Sequence, residues 1–257
     1  ETLSAFFNEK PKSLLSVNAD AKTVKGVKMG YLTGILYLTP ANSSGINLCP
    51  MAEIAQCAAP CLFTAGRGRM STVYFARLRK TLSLQQYEAE FMALLAKDIK
   101  KIEKKAAKKG FSAAIRLNGT SDIRFENILL NGENIMAHFP HIMFYDYTKL
   151  HNRKDIPSNY DLTYSYSGVS NFAQYAKSAI DNGMRLAVVF RNRETVEYML
   201  NYGIKYMGLD IVDGDATDLR FLEPQGVISA LYAKGRAKMD GSGFVIDMPE
   251  QMAAMLA

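Results

Sequence analysis

Beyond Gly110 the chain repeats one pattern, in which a short apolar segment is followed at once by polar residues. The apolar segments are FSAAIRL, HIMFYDY, DLTYSYS, RLAVVF, YMGLDIV and GVISALYA. Helical sequences such as FAQYAKSAIDNG separate some of them. Short apolar strands that alternate with helical crossovers are typical of a parallel sheet buried by helices. The pattern therefore predicts an α/β protein whose strands deliver their loops to one end of the sheet.

The order of these segments favours a barrel, although the crossovers are too uneven for a perfect eightfold repeat. The connection near residues 126–140 is short, and the one at 151–161 is irregular. We therefore expect a single α/β domain over residues 1–257, a TIM-barrel-like or incomplete (β/α) barrel. A cysteine loop at residues 45–70 lies near its N-terminal side.

A lysine-rich stretch precedes this pattern. Apolar residues at three- and four-residue steps predict one long basic helix over about residues 71–109, ending before Gly110. Its lysines supply much of the net charge of +6, and they are expected on the outer face with Asp98 and Glu103 interspersed. No DNA-binding or aromatic RNA-binding motif accompanies them, so we expect no specific nucleic-acid binding. No apolar run is long enough to predict a membrane span.

All three cysteines lie within one short segment, NLCPMAEIAQCAAPCL, as Cys49, Cys57 and Cys61. Thiolate sulfur is the soft ligand that selects iron–sulfur clusters, zinc or copper. Pro50 and Pro60 interrupt regular structure beside two of the cysteines, which indicates a shaped loop. Cys57 and Cys61 are four residues apart, a spacing that would place them on one face of a helical turn. The segment therefore predicts a metal site.

The number of cysteines favours a [4Fe–4S] cluster over other metals. Three thiolates leave one iron to a non-cysteine ligand or solvent, and loss of that iron would give a [3Fe–4S] form. A structural zinc site is the main rival interpretation, and it would need a fourth ligand from a distant carboxylate or from His138, His141 or His151. A disulfide between two of the cysteines, or simple burial of three apolar cysteines, would also account for the segment.

Polar residues at the ends of the predicted strands form a second candidate site. In a barrel these residues would face the same crevice as the cysteine loop, where they would bind substrate. The candidates are Asn118, Ser121, Asp122, Asp146, Lys149, Asp213, Asp215, Asp218 and Lys234. For the acidic run DGDATD, a metal-binding loop and a turn in which Asp bonds its own backbone both stay open. No catalytic residue is identified.

An ordered set of motifs resembles the phage gene product 88 family. The motifs are LCPMAEIAQCAAPCLFTAGRG, RLNGTSDI, FYDYTK, LTYSYSG, VVF, DGDATDLRF and LYAKGRAKMDGSGFV, which together span about residues 25–247. The resemblance implies a phage origin and a setting in the cytoplasm of the infected bacterial host. It places Cys49, Cys57 and Cys61 on the cysteine motif of that family, as its presumed metal ligands.

A barrel with three clustered cysteines also resembles the radical S-adenosylmethionine enzymes, whose open iron binds that cofactor. Their usual motif is C-x3-C-x2-C, whereas this chain has C-x7-C-x3-C. The sequence therefore leaves two functions open. One is an enzyme that uses the open iron, by radical or Lewis-acid chemistry on a small molecule. The other is a non-catalytic iron–sulfur protein that senses, carries electrons for a redox partner, or engages another partner.

Overall fold

The computed structural model describes residues 10–17, 25–61 and 66–247 of the chain. Its strands are β1 (Leu15–Val17), β2 (Tyr31–Leu36), β3 (Ser112–Arg116), β4 (Leu129–Leu130), β5 (Glu133–Asn134), β6 (Met143–Thr148), β7 (Tyr160–Ser165), β8 (Leu186–Phe190), β9 (Ile211–Asp213) and β10 (Ile228–Tyr232). Eight of them form one sheet in the order β1-β2-β3-β6-β7-β8-β10-β9, while β4 and β5 form a separate hairpin. Apart from the antiparallel pair β1–β2, every pair in the large sheet is parallel. The predicted α/β class is confirmed.

The sheet is open rather than closed into a barrel. In the part of the chain that the structure describes, β1 and β9 form its two edges and do not pair with each other. Both edge strands have only three residues. The order of the last two strands is reversed, since β10 pairs with β8 and β9 lies outside β10 at the edge. The TIM-barrel part of the prediction is therefore not observed.

The α-helices of four or more residues in the described part of the chain are α1 (Ser71–Gln86), α2 (Glu88–Ala107), α3 (Ile135–His138), α4 (Ala173–Asp181) and α5 (Arg193–Asn201). The single helix predicted over residues 71–109 is thus two helices, because Tyr87 leaves the helical region with φ −141° and ψ 54°. The predicted end is correct. Gly110 has φ 71°, and the bonds Phe111 N to Ala106 O and Gly110 N to Ala107 O close a Schellman motif.

The helices pack on one face of the sheet. Ile115 of β3 is in register with Phe144 of β6, and Leu186 of β8 is in register with Ile228 of β10. The first pair packs with α2, and the second pair packs with α4 and α5, in two apolar clusters. Helix α2 also comes close to β2, since a Cβ at Gly34 would lie 2.3 Å from the Cδ1 atom of Ile102.

The opposite face of the sheet is covered by residues 214–225, which we call the covering segment. Its Leu219 packs with Ala114 and Tyr145, and its Phe221 ring lies 5.3 Å from the Tyr145 ring. Its Arg220 is fully buried. The acidic sequence that suggested a site is thus the start of a segment that fills one face of the sheet.

The outer face of α2 carries exposed lysines, as expected, but one of its acidic residues does not belong there. Asp98 is only 3% exposed. Its carboxylate accepts hydrogen bonds from the Leu14 amide (2.6 Å), the Ser13 hydroxyl (2.8 Å) and Lys101 Nζ (2.9 Å). The prediction that Asp98 lies among the exposed lysines is wrong, because it anchors the chain entering β1.

Candidate metal centre

The cysteine loop follows β2 and rests on the carboxyl ends of the neighbouring strands. The Thr120 hydroxyl, after β3, donates to Leu38 O (2.5 Å), and the Asp122 amide donates to Leu48 O (2.8 Å). The Ser167 hydroxyl, after β7, donates to Ala55 O (2.8 Å). Residues 62–65, the last part of the predicted loop before Gly66, lie outside the described residues. These bonds hold the thiols at the strand ends, where parallel sheets carry their functional loops.

Hydrogen-bonded turns over residues 50–56 set the position of the central cysteine. The bonds Gln56 N to Glu53 O and Cys57 N to Ala52 O form a Schellman motif, with Gln56 in the left-handed region at φ 49°. Regular turns therefore end before Cys57, and residues 57–61 are not helical. The expectation that Cys57 and Cys61 share a helical face is wrong. The chain reverses at Gln56 instead and brings the thiols together through a loop.

The three thiols are half-buried, and none of them forms a disulfide bond. Cys49 Sγ accepts a hydrogen bond from the Ala41 amide (3.3 Å) and lies 3.9 Å from Thr120 O. Cys57 and Cys61 lie within electrostatic range of Cys49, since ionisation of either thiol would raise the pKa of Cys49. The predicted shared role of the three cysteines stays a prediction.

Burial keeps Cys49 and Cys57 protonated at neutral pH. It raises the pKa of Cys49 to about 12, and the charge of Asp122 acts in the same direction against the Ala41 hydrogen bond. Burial likewise raises the pKa of Cys57, although the Lys149 ammonium opposes the shift. A cysteine nucleophile requires a lowered pKa, so this environment does not activate the two thiols for covalent catalysis.

The ammonium of Lys149 lies beside the thiols. Lys149 is 8% exposed, and its Nζ atom donates to Ser165 O (2.8 Å), Ser165 Oγ (3.0 Å) and Tyr166 O (3.4 Å). It also lies 4.9 Å and 5.3 Å from the ring centroids of Phe244 and Phe172. Burial lowers its pKa, while the charges of Cys57, Asp122, Cys61 and Cys49 oppose the shift. The buried ammonium of Lys149 therefore lies within electrostatic range of the three cysteines.

Besides Lys149, Asp122 is a predicted site residue that lies near the thiols, since its charge acts on Cys49 and Cys57. It is 8% exposed, and its Oδ2 atom accepts the Lys149 backbone amide at 2.7 Å. Burial raises its pKa against the hydrogen bonds from Lys149 and Thr148 and the charge of Arg153. Its other oxygen, Oδ1, accepts no hydrogen bond from the described residues but forms an ion pair with Arg153, whose Nη1 atom lies 3.9 Å away. We call Cys49, Cys57, Cys61, Asp122 and Lys149 together the thiol end of the sheet.

Sequence reasoning missed Arg77 and Tyr164, which also face this region. Arg77 of α1 is 9% exposed and lies 5.1 Å from the Tyr37 ring, and the charge of Cys61 acts on it. Arg77 lies on the buried face of α1 with Thr81 and Leu84. An arginine spaced so as to fall on the buried face of a helix could therefore have been recognised in the sequence. The Tyr164 hydroxyl is buried without a partner among the described residues, and no sequence pattern marks it.

Three predicted substrate residues are instead bonded to the protein itself. The Asn118 side chain accepts from Ser121 Oγ (2.9 Å) and the Ile123 amide (3.0 Å). The Asp146 carboxylate accepts from the Leu117 and Asn118 amides (3.1 and 2.9 Å) and from Tyr160. Burial raises the pKa of Asp146 to about 6. These contacts fix the end of β3 and leave the three side chains little capacity for a ligand.

The remaining predicted residues are distributed over other parts of the sheet. Asp213 accepts the Asp215 amide (2.8 Å), and Asp215 accepts the Tyr232 amide (3.1 Å) and Lys234 Nζ (2.5 Å), which ties β9 to β10 at one edge. Asp218 is buried in the covering segment, where Arg116 Nη1 donates to it at 2.8 Å. Of the two interpretations of the acidic run, these contacts fit the turn.

The thiol end has a metal-type donor set that is not in coordinating geometry. Over residues 10–17, 25–61 and 66–247, no group of three or more His, Cys, Asp or Glu side chains is arranged to hold a metal ion as it stands. The three cysteines nevertheless lie within electrostatic range of the Lys149 ammonium. Soft metals bind such sulfur donors once the thiol protons are displaced.

Comparison with known proteins gives a single positive result. A family model described as gene product 88 matches residues 10–248. No curated protein and no solved structure matches the chain. The weaker resemblance to radical S-adenosylmethionine enzymes gains no support from these comparisons. No helix in the described residues is long and apolar enough to cross a membrane. The match covers nearly the whole chain, which therefore belongs to the phage gene product 88 family.

Proposed function

We propose that Cys49, Cys57 and Cys61 bind one [4Fe–4S] cluster, and that the protein works as an iron–sulfur protein in the cytoplasm of the infected bacterium. One observation carries the proposal: a single loop holds three half-buried cysteines that form no disulfide, within electrostatic range of the buried ammonium of Lys149. Thiolate is the ligand type that holds iron–sulfur clusters in proteins. The reducing cytosol is the compartment in which such thiols persist without forming disulfides.

The charge of Lys149 supports an anionic metal–thiolate group. Its hydrogen-bond acceptors, the oxygens of Ser165 and Tyr166, are all uncharged, so its positive charge is available to a neighbouring anion. A [4Fe–4S]²⁺ core held by three thiolates carries a net negative charge. A buried charge is costly without an opposite charge nearby, and the ammonium would supply it.

The high pKa of the thiols is consistent with this proposal. A cluster or metal ion binds the thiolate form and releases the thiol protons, so its affinity rises with pH. Cys49, with a pKa raised to about 12, gives up its proton only to a strongly bound cation. A covalent enzyme using Cys49 or Cys57 is correspondingly disfavoured.

A non-catalytic role in redox chemistry or sensing fits the site better than an enzyme does. An enzyme needs polar groups that are free to bind substrate, but Asn118, Asp146 and Asp215 are bonded to the protein. S-adenosylmethionine chemistry or Lewis-acid chemistry at an open iron is the second candidate, and it requires an iron that a small molecule reaches. A structural zinc ion is the third candidate, and it requires a fourth protein ligand.

Anaerobic reconstitution of the full chain tests the cluster. We expect the wild-type protein to become brown and to contain iron and acid-labile sulfide, and to lose iron to a [3Fe–4S] form in air. Replacing any one of the three cysteines by serine should remove most of the sulfide. The variant Ser44→Ala is the control, because Ser44 lies directly before the cysteine loop and its hydroxyl donates to Ile46 O at 3.4 Å.

Purified protein that contains stoichiometric zinc and no sulfide would overturn the proposal. The same holds if the three serine variants load iron and sulfide as well as the Ser44→Ala control does. If the loaded protein binds and cleaves S-adenosylmethionine after reduction, the enzyme is the correct function and the non-catalytic role is wrong.

A further inference from the structure

Helix α2 presents a row of lysines to solvent. Steps of three and four residues bring five exposed lysines to one side of the helix: Lys97, Lys100, Lys101, Lys104 and Lys108. We call these five residues the lysine face. The opposite side of α2 packs in the core through apolar residues such as Leu95 and Ile102. The lysine face is therefore the outer surface of this helix.

The two acidic residues that interrupt this stretch of sequence do not neutralise the lysine face. Asp98 is buried, and among the five lysines its carboxylate pairs only with Lys101, at 2.9 Å. The Glu103 carboxylate is hydrogen-bonded to the His141 ring. No carboxylate in the described parts of the chain pairs with the other four lysines of the face. The face therefore carries a concentrated positive charge, although the sequence around it has both signs.

A depression of about 430 Å³ lies in this surface. It is lined by two alanines and four lysines of the face: Ala93, Ala96, Lys97, Lys100, Lys101 and Lys104. The short alanine side chains leave room between the longer lysine side chains, so an anionic group can approach the helix with ammonium groups around it. Lysine ammonium groups bind phosphate as point charges.

The composition of the face favours a phosphate backbone over a protein partner. Protein interfaces depend on aromatic, methionine or arginine anchors, and lysine is depleted from them. From Ala93 to Gly110 the sequence has no aromatic, methionine or arginine residue. Nucleic acid needs no such anchor, because its non-specific binding comes from neutralised phosphates and released counterions. The lack of aromatic side chains also favours a duplex over a single strand, whose bases would stack on them.

From these observations we infer that the lysine face of α2 binds the phosphate backbone of duplex DNA without reading its sequence. The face extends about 16 Å along the helix from Lys97 to Lys108, which matches about five nucleotides of one duplex strand. DNA is the fitting duplex because its major groove admits a helix, whereas that of RNA is deep and narrow. The face has no arginine, asparagine or glutamine to read a base edge, which agrees with the predicted absence of specific nucleic-acid binding.

Fluorescence anisotropy of the full chain with short labelled DNA duplexes, over a range of salt concentrations, tests the inference. The triple variant Lys97→Gln/Lys100→Gln/Lys104→Gln removes three charges but keeps good helix formers, so α2 should stay folded, which circular dichroism checks. At low salt we expect this variant to bind about tenfold more weakly than wild type. The slope of log affinity against log salt should fall by about 3, one for each lost phosphate contact. Wild type should bind duplexes of unrelated sequence with equal affinity.

The triple variant Lys154→Gln/Lys177→Gln/Lys205→Gln is the matched control. These exposed lysines lie outside α2, and replacing them removes the same total charge. Lys177 and Lys205 are already paired with Asp181 and Asp210. The affinity and the salt slope of the control should therefore stay close to those of wild type.

Three results would overturn the inference. The first is a wild-type protein that binds no duplex at low salt. The second is equal weakening by the two triple variants, because net charge alone would then account for binding. The third is binding of poly-glutamate as tightly as the duplex, lost in the α2 variant, which would identify an acidic protein as the partner of this face.

Discussion

The thiol end of the sheet and the face under the covering segment both bury charged side chains, but they provide different partners. Under the covering segment, arginines meet carboxylates: Arg116 with Asp218 at 2.8 Å, and Arg185 with Asp161 at 2.8 Å. At the thiol end, Lys149 donates hydrogen bonds to uncharged oxygens, and Asp122 Oδ1 lies 3.9 Å from Arg153 Nη1 in an ion pair without a hydrogen bond. The closely paired charges under the covering segment stabilise the fold, whereas the loosely paired charges at the thiol end are where we propose that a further group binds.

Removing Arg185 should have the largest effect on stability. Arg185 is 1% exposed and donates to Asp161 and Thr163, each at 2.8 Å, and to the Pro224 and Glu223 carbonyls. Arg185→Met removes these donors from the half-buried Asp161 carboxylate, the Thr163 hydroxyl and two carbonyls, so we expect a loss of about 3 kcal/mol in the free energy of unfolding. Lys149→Met should cost about 1 kcal/mol, since only neutral acceptors lose a hydrogen bond.

Urea unfolding of the metal-free proteins measures both values, with Arg193→Met as the control. Arg193 pairs with Glu197 on the exposed surface of α5, where solvent screens the charges, so this variant should unfold close to wild type. If the Arg185 and Lys149 variants lose equal free energy of unfolding, buried charges stabilise the two regions equally and the proposed difference between the regions is wrong.

Burial of the ionised Asp146 carboxylate destabilises the folded protein, so the free energy of unfolding should depend on pH through this residue. Burial raises its folded-state pKa to about 6, against the charge of Arg116 and the hydrogen bonds from Asn118 and Tyr160. The unfolded value is about 3.9. Between these values the folded protein binds more protons, so this contribution to stability is complete below about pH 4 and is lost as pH rises through about 6.

The measurement is the difference in unfolding free energy between wild type and Asp146→Asn at about pH 4.5 and pH 7.5. Taking the difference removes the other titrating groups that the two proteins share. Wild type should lose about 2 kcal/mol relative to the variant as pH rises over this interval. A difference that is flat, or that changes in the opposite direction, would show that Asp146 is not protonated in the folded protein below pH 6.

The sequence predicted local elements better than the burial of charged residues. The apolar segments after Gly110 form strands, as predicted. They could be predicted because a short apolar segment bounded by polar residues is a local signal for a buried strand. Gly110 was also a correct helix end, since its φ of 71° is a local requirement. By contrast, the break at Tyr87 has no local breaker such as proline, so the local sequence does not predict it.

The site was predicted in part, for a similar reason. Neighbouring cysteines mark a shared task without knowledge of the fold. Asp122 and Lys149 were among many polar residues after strands, and only tertiary contacts separate them from Asp146 or Asp218. The covering segment could not be recognised, because its polar start DGDATD resembles a site until Leu219 and Phe221 are seen to pack across the sheet.

The smallest expected effect concerns backbone strain at the thiol end. Gln56 holds φ 49° at the end of the hydrogen-bonded turns before Cys57, a position at which glycine is usual. Gln56→Gly removes the steric cost that a side chain pays in the left-handed backbone region. The greater conformational entropy of glycine in the unfolded chain offsets part of this gain in stability. We expect a gain of about 0.5 kcal/mol in the urea-unfolding free energy. Gln85→Gly, at an exposed position inside α1, is the control and should lose about 1 kcal/mol. If both changes destabilise the protein equally, the Schellman motif at Gln56 does not form, and the strain assigned to the cysteine loop is absent.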